Sequence, residues 1–397
     1  MAAVSSARTG ATTLLFDRRR KIGAKILMSG GTRCNVTNAA VSERDFNTPS
    51  GPFVRTVLKQ FPPDTARAFF EKEGVELKLE PTGKYFPASD SATDVLAGLL
   101  RAVESAGVVL HRESLVGGAE PSEGGLVVET STGKVDAAAV VLATGGLSYP
   151  ETGSDGVGYR IARQLGHSII RQSAALSPLI AAPAVHSSLA GITVDAGLRV
   201  VSHSKTVATR RGSFLFTHNG YSGPAALDIS RHWERTSWED RDAEVRVTFV
   251  PEKTPAELED HVLAEARRAP RRHVANLLAE FMPLRLAEVL MSSAKVPAGT
   301  MLTSLGRDAR RALVRTVTDL RLPVTGLAGF GKAEVTAGGV PLGEVRARDM
   351  SSKLVAGLYF AGEILDVDGY IGGYNFQWAW SSGWVAGAAA ARRALQE

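Results

Sequence analysis

The pattern of hydrophobic and polar residues along the chain changes with position. Up to about residue 172 it is the pattern of strands that alternate with helices. The apolar run "ATTLLFD" at 11–17 is typical of a buried strand, and "DSATDVLAGLLRAVESAG" at 90–107 has the spacing of an amphipathic helix. After a hairpin-like stretch, a second buried strand is predicted over 138–143. This alternation favours an α/β domain.

The pattern changes again in the middle and at the end of the chain. Segments such as "GITVDAGLRVVS" and "AEVRVTFVP" predict strands before residue 254, and an arginine-rich segment with helical spacing follows. After Gly326 the chain is glycine-rich and strand-like, and a long helix is predicted from about Gly373 to Ala394. We therefore predict one discontinuous domain with two inserts: an α/β domain of 1–172 and 333–397, a β-rich insert of 173–254 and 321–332, and a helical insert of 255–320.

Composition and charge are those of an ordinary globular protein. Of the 397 residues 44% are hydrophobic and 22% are charged, and the sequence contains no apolar run long enough to predict a membrane span. The net charge is +5, but the arginines are scattered without interleaved aromatic residues, which indicates a solvated basic surface. We therefore expect neither a nucleic acid nor a membrane as a partner. An RNA-binding face on the arginine cluster at 267–315 remains the alternative.

Cysteine and histidine usage limits the possible chemistry. Cys34 is the only cysteine, so the chain can form no intramolecular disulfide and no redox-active dithiol. A single free thiol fits a reducing compartment, and we expect a cytoplasmic protein. The eight histidines show no spacing typical of zinc ligands, so no metal site is predicted.

The first residues resemble the later part of a dinucleotide-binding motif. Residues 1–8 predict the end of a helix and 11–16 a strand that Asp17 ends. A Rossmann-type half contains a strand, a glycine-rich turn, a helix and a second strand that ends in an acidic residue for the ribose hydroxyls. Asp17 occupies that last place, but the glycine-rich turn is missing. The stretch before Asp17 lacks acidic residues, as transit peptides do, although its apolar run "LLF" is too short for a secretory signal.

The C-terminal stretch carries stronger evidence for a cofactor. In "LYFAGEILDVDGYIGGYNFQWAWSSGWVAG" a buried strand at 358–361 is followed by acidic residues and then by Gly372 and Gly373 at the start of a helix. The free N–H groups and the dipole of a helix start stabilise the N1–C2=O edge of a flavin, above all in its reduced anionic form. Asn375 and Gln377 can add amide hydrogen bonds, and we expect the tryptophans of this stretch to pack in the core.

Five ordered motifs resemble one flavoprotein family. They are "LLFDRRRKIGAKILMSGGTRCNVTN" (14–38), "ATGGLSYPETGSDGVGY" (143–159), "LFTHNGYSGPAALDIS" (215–230), "AEVTAGGV" (333–340) and the C-terminal stretch above. Together they closely resemble the aminoacetone-oxidase-like and BaiN-like flavoproteins, which are NAD(P)/FAD-dependent oxidoreductases. The resemblance implies a glutathione-reductase-like FAD/NAD(P)-binding domain, interrupted by a β-barrel-like insert that carries a small helical domain.

The resemblance also implies positions along the cofactor. Asp17, where family members usually have Glu, would bind the adenosine ribose, and the backbone near Val116 would face the adenine. The other cofactor-binding residues would be Lys25, Ser29, Gly30, Arg33, Cys34 and Asn35 along the cofactor, Thr144, Gly145 and Gly146 over its middle, and Gly338, Gly339, Glu363, Asp366, Gly373, Asn375 and Gln377 around the ribityl and isoalloxazine end. The loop His218–Pro224 of the insert would face the active-site cleft.

Two departures from the family pattern matter. Family members begin with a strand and a glycine-rich loop, whereas Met1-Ala2-Ala3 matches the middle of the helix that follows that loop. We therefore expect either a start codon placed about a dozen or more residues too late, or a fragment whose parallel sheet lacks a central strand and whose FAD affinity collapses. The segment "SGGTRCN" is not accompanied by a second cysteine, so a flavin-only mechanism follows.

The sequence thus predicts an oxidoreductase that acts through noncovalent FAD on a small organic substrate, on NAD(P)H, or on both. The hydride would leave to an acceptor such as oxygen or an unsaturated carbonyl compound. Tyr149, His218 and Tyr370 are acid–base candidates by motif position alone, so no catalytic residue is assigned. Besides RNA binding, two alternatives remain: a catalytically idle flavin-binding sensor or assembly factor, and a truncated product without cofactor. The sequence assigns no oligomeric state.

Overall fold

The computed structural model describes residues 1–396, and the chain divides into two compact units. The first unit consists of Met1–Ala175 and Phe330–Glu397, and the second is Leu176–Gly329. The chain therefore leaves the first unit once and returns to it once. The finer division of the second unit into a β-rich and a helical insert, with the boundaries given above, remains a prediction.

The described residues form helices and strands throughout both units. The helices are α1 (Ala2–Arg8), α2 (Ala24–Thr32), α3 (Gly51–Gln60), α4 (Pro63–Lys72), α5 (Ala92–Ser105), α6 (Val157–Gln164), α7 (Pro224–Ser237), α8 (Pro255–Arg268), α9 (Val274–Leu278), α10 (Leu284–Ser293), α11 (Arg307–Thr318) and α12 (Tyr374–Ala394). The strands are β1 (Leu14–Phe16), β2 (Thr37–Asn38), β3 (Phe46–Asn47), β4 (Leu77–Leu79), β5 (Lys84–Pro87), β6 (Val109–His111), β7 (Val116–Ser122), β8 (Gly125–Thr130), β9 (Gly133–Ala137), β10 (Val140–Leu142), β11 (Ile170–Ala175), β12 (Leu179–Ala181), β13 (Thr193–Ser202), β14 (Lys205–Thr217), β15 (Gly220–Ser222), β16 (Glu244–Thr248), β17 (Leu320–Leu322), β18 (Val324–Leu327), β19 (Val335–Gly339), β20 (Leu358–Phe360) and β21 (Asp368–Gly369).

Two parallel ribbons lie in the first unit. Strand β1 pairs with β6, with Leu14 opposite Val109, and β10 pairs with β20, with Val140 opposite Leu358. No strand within residues 1–396 is hydrogen-bonded to both ribbons. The strands expected over 11–16 and 138–143 form, but they are shorter than their apolar runs suggested.

The carboxyl ends of these parallel strands carry the predicted site. Asp17 directly follows β1, Thr144 lies just beyond β10, and Glu363 lies just beyond β20 in a 3₁₀ turn. In open α/β sheets, ligands bind outside the carboxyl ends of the strands. Asp17, Thr144 and Glu363 therefore lie where such a fold binds its ligand.

Helix α12 lies in the core of the first unit. It is apolar around most of its circumference, which is typical of a buried helix. Trp378 and Trp380 are only 1% and 6% exposed, and their indole N–H groups donate to the carbonyls of Gly362 at 3.1 Å and Val36 at 2.8 Å. These tryptophans pack in the core, as expected. No helix within residues 1–396 combines the length and apolar character that a bilayer crossing requires.

The second unit is built on a seven-stranded sheet with the order β17-β16-β13-β14-β15-β12-β18. The two edge strands are separated in the chain by Pro323 alone, so the sheet must curl until its edges approach each other. This is the barrel-like form expected of the insert. Helices α7 to α11 pack on the sheet and share one hydrophobic core with it, which includes Leu198, Phe214 and Leu286.

Candidate functional site

Four polar residues meet beyond the carboxyl ends of β10 and β20. Glu363 accepts hydrogen bonds on Oε1 from Ser148 Oγ at 2.7 Å and from the Thr336 amide at 2.9 Å. Its Oε2 accepts from the Lys25 ammonium, which also donates to Ser148 Oγ. The side chains of Lys25 and Glu363 are 30% and 15% exposed, so the ion pair is partly shielded from water. We call Lys25, Ser148, Thr336 and Glu363 the Glu363 cluster.

The Glu363 cluster also fixes the glycine-rich loop after β10. Thr336 Oγ1 accepts from the amides of Leu147 at 2.7 Å and Ser148 at 3.1 Å. A Cβ atom on Gly146 would lie 2.4 Å from Thr336 Oγ1 and 2.9 Å from Glu363 Oε1, so only glycine permits this approach. Gly145, just before it, has a φ of 72°, a left-handed value that glycine adopts readily.

Two buried polar atoms near this loop lack a hydrogen-bond partner among residues 1–396. They are Thr144 Oγ1 and Asn35 Oδ1. A buried polar group that stays unpaired costs about 1–3 kcal/mol, so such atoms are rare in folded proteins. The Asn35 oxygen lies beside the start of α12, where a Cβ on Gly373 would be 2.8 Å away from it. A polar ligand beside the start of α12 would satisfy the Asn35 oxygen.

Helix α12 begins without a side-chain cap. Gly373 is its N-cap residue and has a φ of 91°. The first N–H groups of a helix have no partner within the helix, and the dipole makes this end positive. The end of a 21-residue helix thus offers hydrogen-bond donors and partial positive charge beside Asn35.

The two amides predicted from the C-terminal motif are already engaged within the protein. Asn375 Oδ1 accepts from the Gly369 amide at 2.7 Å, and its Nδ2 donates to the Gly369 carbonyl at 2.9 Å. Gln377 is fully buried, accepts from Thr37 Oγ1 at 2.6 Å and donates to the Phe61 carbonyl at 2.9 Å. Both side chains therefore position α12 and the loop before it.

Asp17 and Val116 lie close together in the first unit. The Asp17 amide donates to the His111 carbonyl at 2.9 Å, and its carbonyl accepts from Ser114, two residues before Val116, at 3.0 Å. Asp17 Oδ1 accepts from the Arg19 amide at 2.7 Å, which leaves Oδ2 for other donors. Asp17, at the end of β1, is thus hydrogen-bonded to the segment that leads into β7.

The segment from Ser29 to Asn35 is a strained turn that interrupts the end of α2. Gly30 and Cys34 have φ values of 56° and 59°, and Ser29 Oγ donates to the Ile26 carbonyl at 2.8 Å. The Arg33 guanidinium is engaged by neighbouring side chains. It lies 4.0 Å from the centroid of the Phe86 ring and pairs with Glu80 at 2.7 Å and Asp90 at 3.2 Å. Arg33 therefore anchors the turn to the neighbouring hairpin.

Cys34 is fully buried, and burial raises the pKa of its thiol to about 12, against a smaller opposite effect of the hydrogen bond with Ser29. The thiolate is the reactive form, so we expect Cys34 to resist iodoacetamide at pH 8.5 in the folded protein and to react fully in urea. Mass spectrometry of the labelled protein measures this. Stoichiometric labelling without denaturant would show that the thiol is accessible and would make Cys34 a candidate for a catalytic role.

The remaining predicted residues lie around the Glu363 cluster or in the second unit. Gly338 and Gly339 end β19, the strand that carries Thr336. Asp366 is 7% exposed, and its amide donates to the Val340 carbonyl at 3.0 Å. The loop His218–Pro224 belongs to the second unit, and its expected place at the active-site cleft remains a prediction.

Sequence reasoning missed Ser148 and Thr336. Both lie in two of the five motifs, "ATGGLSYP" and "AEVTAGGV", in which only the glycines and Thr144 were predicted to lie along the cofactor. A hydroxyl residue separated by one residue from a glycine pair is the signal that could have identified them. Their partners come from distant parts of the chain, so the hydrogen bonds themselves have no local signature.

Thr144→Val is expected to weaken FAD binding about 5- to 30-fold, since a hydroxyl that lacks a protein partner would lose its bond to the ligand. The free energy of unfolding of the FAD-free protein should stay the same or rise slightly, because valine has nearly the same shape and no unpaired oxygen. Fluorescence titration with FAD and urea unfolding measure the two quantities. Thr318→Val, at a buried threonine of the second unit, is the control that should bind FAD normally. Equal affinity in both variants would remove Thr144 from the site.

The family comparison decides the identity of the chain. The profile described as the HI0933-like protein Rossmann domain matches residues 1–389. The chain belongs to this HI0933-like family. Membership confirms the resemblance to BaiN-like flavoproteins and the α/β class with a Rossmann-like FAD-binding fold.

The HI0933-like chain matches curated relatives along nearly their whole length. It is 35% identical over 381 residues to a ribosomal RNA dihydrouridine synthase of Escherichia coli K12, covering 95% of this chain and 92% of the relative. It is 32% identical over 395 residues to a 3-dehydro-bile acid delta(4,6)-reductase of Clostridium scindens, covering 99% and 96%. A solved quinol–fumarate reductase matches with a TM-score of 0.50 at 15% identity, over 100% of this chain and 68% of that one, which shows the fold alone. The HI0933-like chain is thus an FAD-dependent oxidoreductase, as its sequence predicts.

Proposed function

We propose that this HI0933-like oxidoreductase binds one noncovalent FAD beyond the carboxyl ends of β1, β10 and β20 and reduces a carbon–carbon double bond conjugated to a carbonyl group. NAD(P)H is the proposed electron donor. Bound FAD supplies a ring that takes up a hydride and passes it on. The protein supplies position, hydrogen bonds and exclusion of water.

The described residues fit such a dinucleotide. Asp17 would accept from the ribose hydroxyls through Oδ2, since its Oδ1 is engaged by the Arg19 amide, and the Val116 backbone would face the adenine. The turn from Ser29 to Asn35 and the loop Thr144–Gly146 would hold the middle of the cofactor, together with Lys25 of the Glu363 cluster. Glu363 and Asp366 would lie at the ribityl end, and Gly373 at the start of α12 would face the pyrimidine edge of the flavin.

One observation carries the cofactor assignment: within residues 1–396, Asn35 Oδ1 is buried without a hydrogen-bond partner, and it lies beside the start of α12, which has no side-chain cap. An acceptor next to the N-terminus of a helix matches the alternating donors and acceptors on the pyrimidine edge of a flavin. Structural packing alone rarely leaves a buried acceptor of this kind unpaired.

The reaction class follows from the two relatives taken together. One is named for making dihydrouridine in ribosomal RNA, and the other for reducing a delta(4,6) double-bond system in a 3-dehydro-bile acid. In uridine and in such a steroid ketone, the bond that is saturated is conjugated to a carbonyl group. The two substrates share this feature and little else. We therefore assign the conjugated double bond as the reacting group. The rest of the substrate differs between the relatives.

Anaerobic spectroscopy tests the proposal. NADPH or NADH should bleach the visible flavin absorbance of the purified protein, and cyclohex-2-enone should restore it with formation of cyclohexanone. A flavoprotein that is bleached by neither nucleotide, and whose chemically reduced form is not reoxidised by the enone, would be a sensor or assembly factor instead. The rate with oxygen, measured in parallel, shows whether the enone or oxygen is the preferred acceptor.

A uracil ring within RNA is the second candidate substrate, because the E. coli relative covers 95% of the chain. The net charge of +5 also suits a polyanion. In the arginine-rich segment 267–315, however, Arg272 pairs with Glu280 at 2.7 Å and Arg310 with Glu259 at 3.1 Å, which lowers the charge available to phosphates. The dihydrouridine content of ribosomal RNA from a strain that lacks the gene decides between the two substrates. Loss of dihydrouridine would assign RNA as the substrate, and an unchanged content would leave a small enone as the substrate.

A further inference from the structure

Tyr149 lies directly beside the Glu363 cluster, because it follows Ser148 in the chain. Its φ is 49°, a left-handed value that a bulky side chain rarely adopts. Both of its backbone groups are fastened: the amide donates to the Phe330 carbonyl at 2.9 Å, and the carbonyl accepts from the Thr152 amide at 2.8 Å. Backbone strain of this kind persists where the surroundings fix it, and it is concentrated at functional sites.

The phenol of Tyr149 is half-buried, and its hydroxyl makes no hydrogen bond to any of residues 1–396. The more deeply buried tyrosines differ in this respect. The Tyr221 hydroxyl lies 2.6 Å from His186 Nδ1, and the hydroxyls of Tyr159 and Tyr359 reach backbone carbonyls at 3.5 Å. The hydroxyls of these three tyrosines are thus engaged within the protein, whereas the Tyr149 hydroxyl has no hydrogen-bond partner among residues 1–396.

The electrostatic surroundings keep this hydroxyl protonated. Partial burial raises the pKa of Tyr149, and the negative charges of Glu334 and Glu151 raise it further. The charge of Lys25 acts in turn on Glu334, whose pKa it lowers against a larger rise caused by burial. Glu334 therefore interacts electrostatically with both Tyr149 and Lys25, a member of the Glu363 cluster.

The other proton-bearing groups of the Glu363 cluster are already engaged. The Lys25 ammonium donates to Glu363 and Ser148, and the Ser148 hydroxyl donates to Glu363. A proton taken from either would break the ion pair that joins the segments of the site. Tyr149 follows Ser148 directly and carries an acidic O–H group that can give up its proton without such a loss.

We propose that Tyr149 is the proton donor of the reduction, an assignment that rests on the proposed function. Bound FAD would supply the two electrons as a hydride, which would form a new C–H bond at the carbon remote from the carbonyl while the double-bond electrons move to the carbonyl oxygen as an enolate. The Tyr149 O–H bond would then break, its proton would form the second C–H bond at the carbon next to the carbonyl, and the phenolate would regain a proton from water.

Tyr149→Phe and Tyr85→Phe test this assignment as a matched pair. Tyr85 is also a half-buried tyrosine of the first unit, and its ring lies 5.9 Å from the Arg67 guanidinium. Each protein is reduced with dithionite without oxygen and mixed with cyclohex-2-enone. We expect equal FAD content and equal reduction, and a reoxidation at least about 100-fold slower in Tyr149→Phe alone, the size typical of a lost general acid.

A second measurement needs no turnover. Alkaline titration of tyrosinate absorbance in the oxidised protein, with and without cyclohex-2-enone, shows whether the ligand contacts the Tyr149 phenol. We expect the enone to shift the ionisation of one tyrosine in the wild-type and Tyr85→Phe proteins but of none in Tyr149→Phe. Reoxidation of Tyr149→Phe at the wild-type rate, or a titration that saturating enone leaves unchanged, would overturn the assignment. If the reduced wild-type protein is not reoxidised by the enone, the proposed function fails, and the titration alone decides on Tyr149.

Discussion

Glu363→Ala is expected to weaken FAD binding about 30- to 150-fold and to lower the free energy of unfolding by about 2–3 kcal/mol. The carboxylate accepts from Ser148 Oγ, the Thr336 amide and the Lys25 ammonium, so its removal leaves three donors without their partner. Loss of one member of a fully buried ion pair costs about 3–5 kcal/mol. The exposure of 30% and 15% at Lys25 and Glu363 lowers this figure, because water screens the charge that remains.

The Glu363 prediction is measured by FAD fluorescence titration and by urea unfolding. Glu104→Ala makes the same substitution at an exposed glutamate on α5 and should change stability by less than about 0.5 kcal/mol. Glu363→Gln keeps the shape but loses the charge, and it should lie between the two. If Glu363→Ala bound FAD as tightly as Glu104→Ala, the Glu363 cluster would lie outside the cofactor site.

Gly373→Ala should have the second large effect, with FAD affinity reduced at least about 30-fold and unfolding free energy lowered by about 2–4 kcal/mol. The new Cβ would lie 2.8 Å from Asn35 Oδ1 and 2.8 Å from the carbonyl carbon of Thr37. A φ of 91° adds strain that no L-residue relieves. Because the clash pushes the start of α12 away from Asn35, it separates the two elements that are assigned to the flavin edge.

Gly343→Ala is the control for the glycine prediction. A Cβ at Gly343 meets no atom within 4 Å, and the residue lies in the same unit. Its FAD affinity and its urea midpoint should match those of the wild-type protein. A Gly373→Ala protein that matched them as well would show that α12 does not need its present start to bind the cofactor.

The sequence predicted the segments of the site better than the role of each side chain. Periodicity and glycine placement predicted α12 from Gly373 and the strand before Glu363, because both signals are local. Gln377 shows the limit of this reasoning. Its amide was expected at the flavin, but Thr37 and Phe61 saturate it, and these partners lie 340 and 316 residues away in the chain. Pairings over such distances depend on the fold and have no local pattern.

Arg33 shows the same limit for charge. Its place in the "SGGTRCN" motif predicted a residue along the cofactor, whereas its guanidinium lies on Phe86 and between Glu80 and Asp90. Single carboxylates spread over the sequence give no sign that they will converge on one arginine. The barrel-like closure of the second unit was likewise expected from the family resemblance, and its physical cause, two sheet edges joined through Pro323, became visible only in the strand order.

The central claim is that distant segments of the first unit, around Asp17 to Asn35 and around Glu363 to Gly373, bind a single FAD together. The most direct test is the visible spectrum and the flavin content of the native protein isolated from its source organism. The account predicts one FAD per chain, held without a covalent bond and released when the protein is unfolded. A folded, colourless protein that leaves the fluorescence of added FAD unchanged would contradict it.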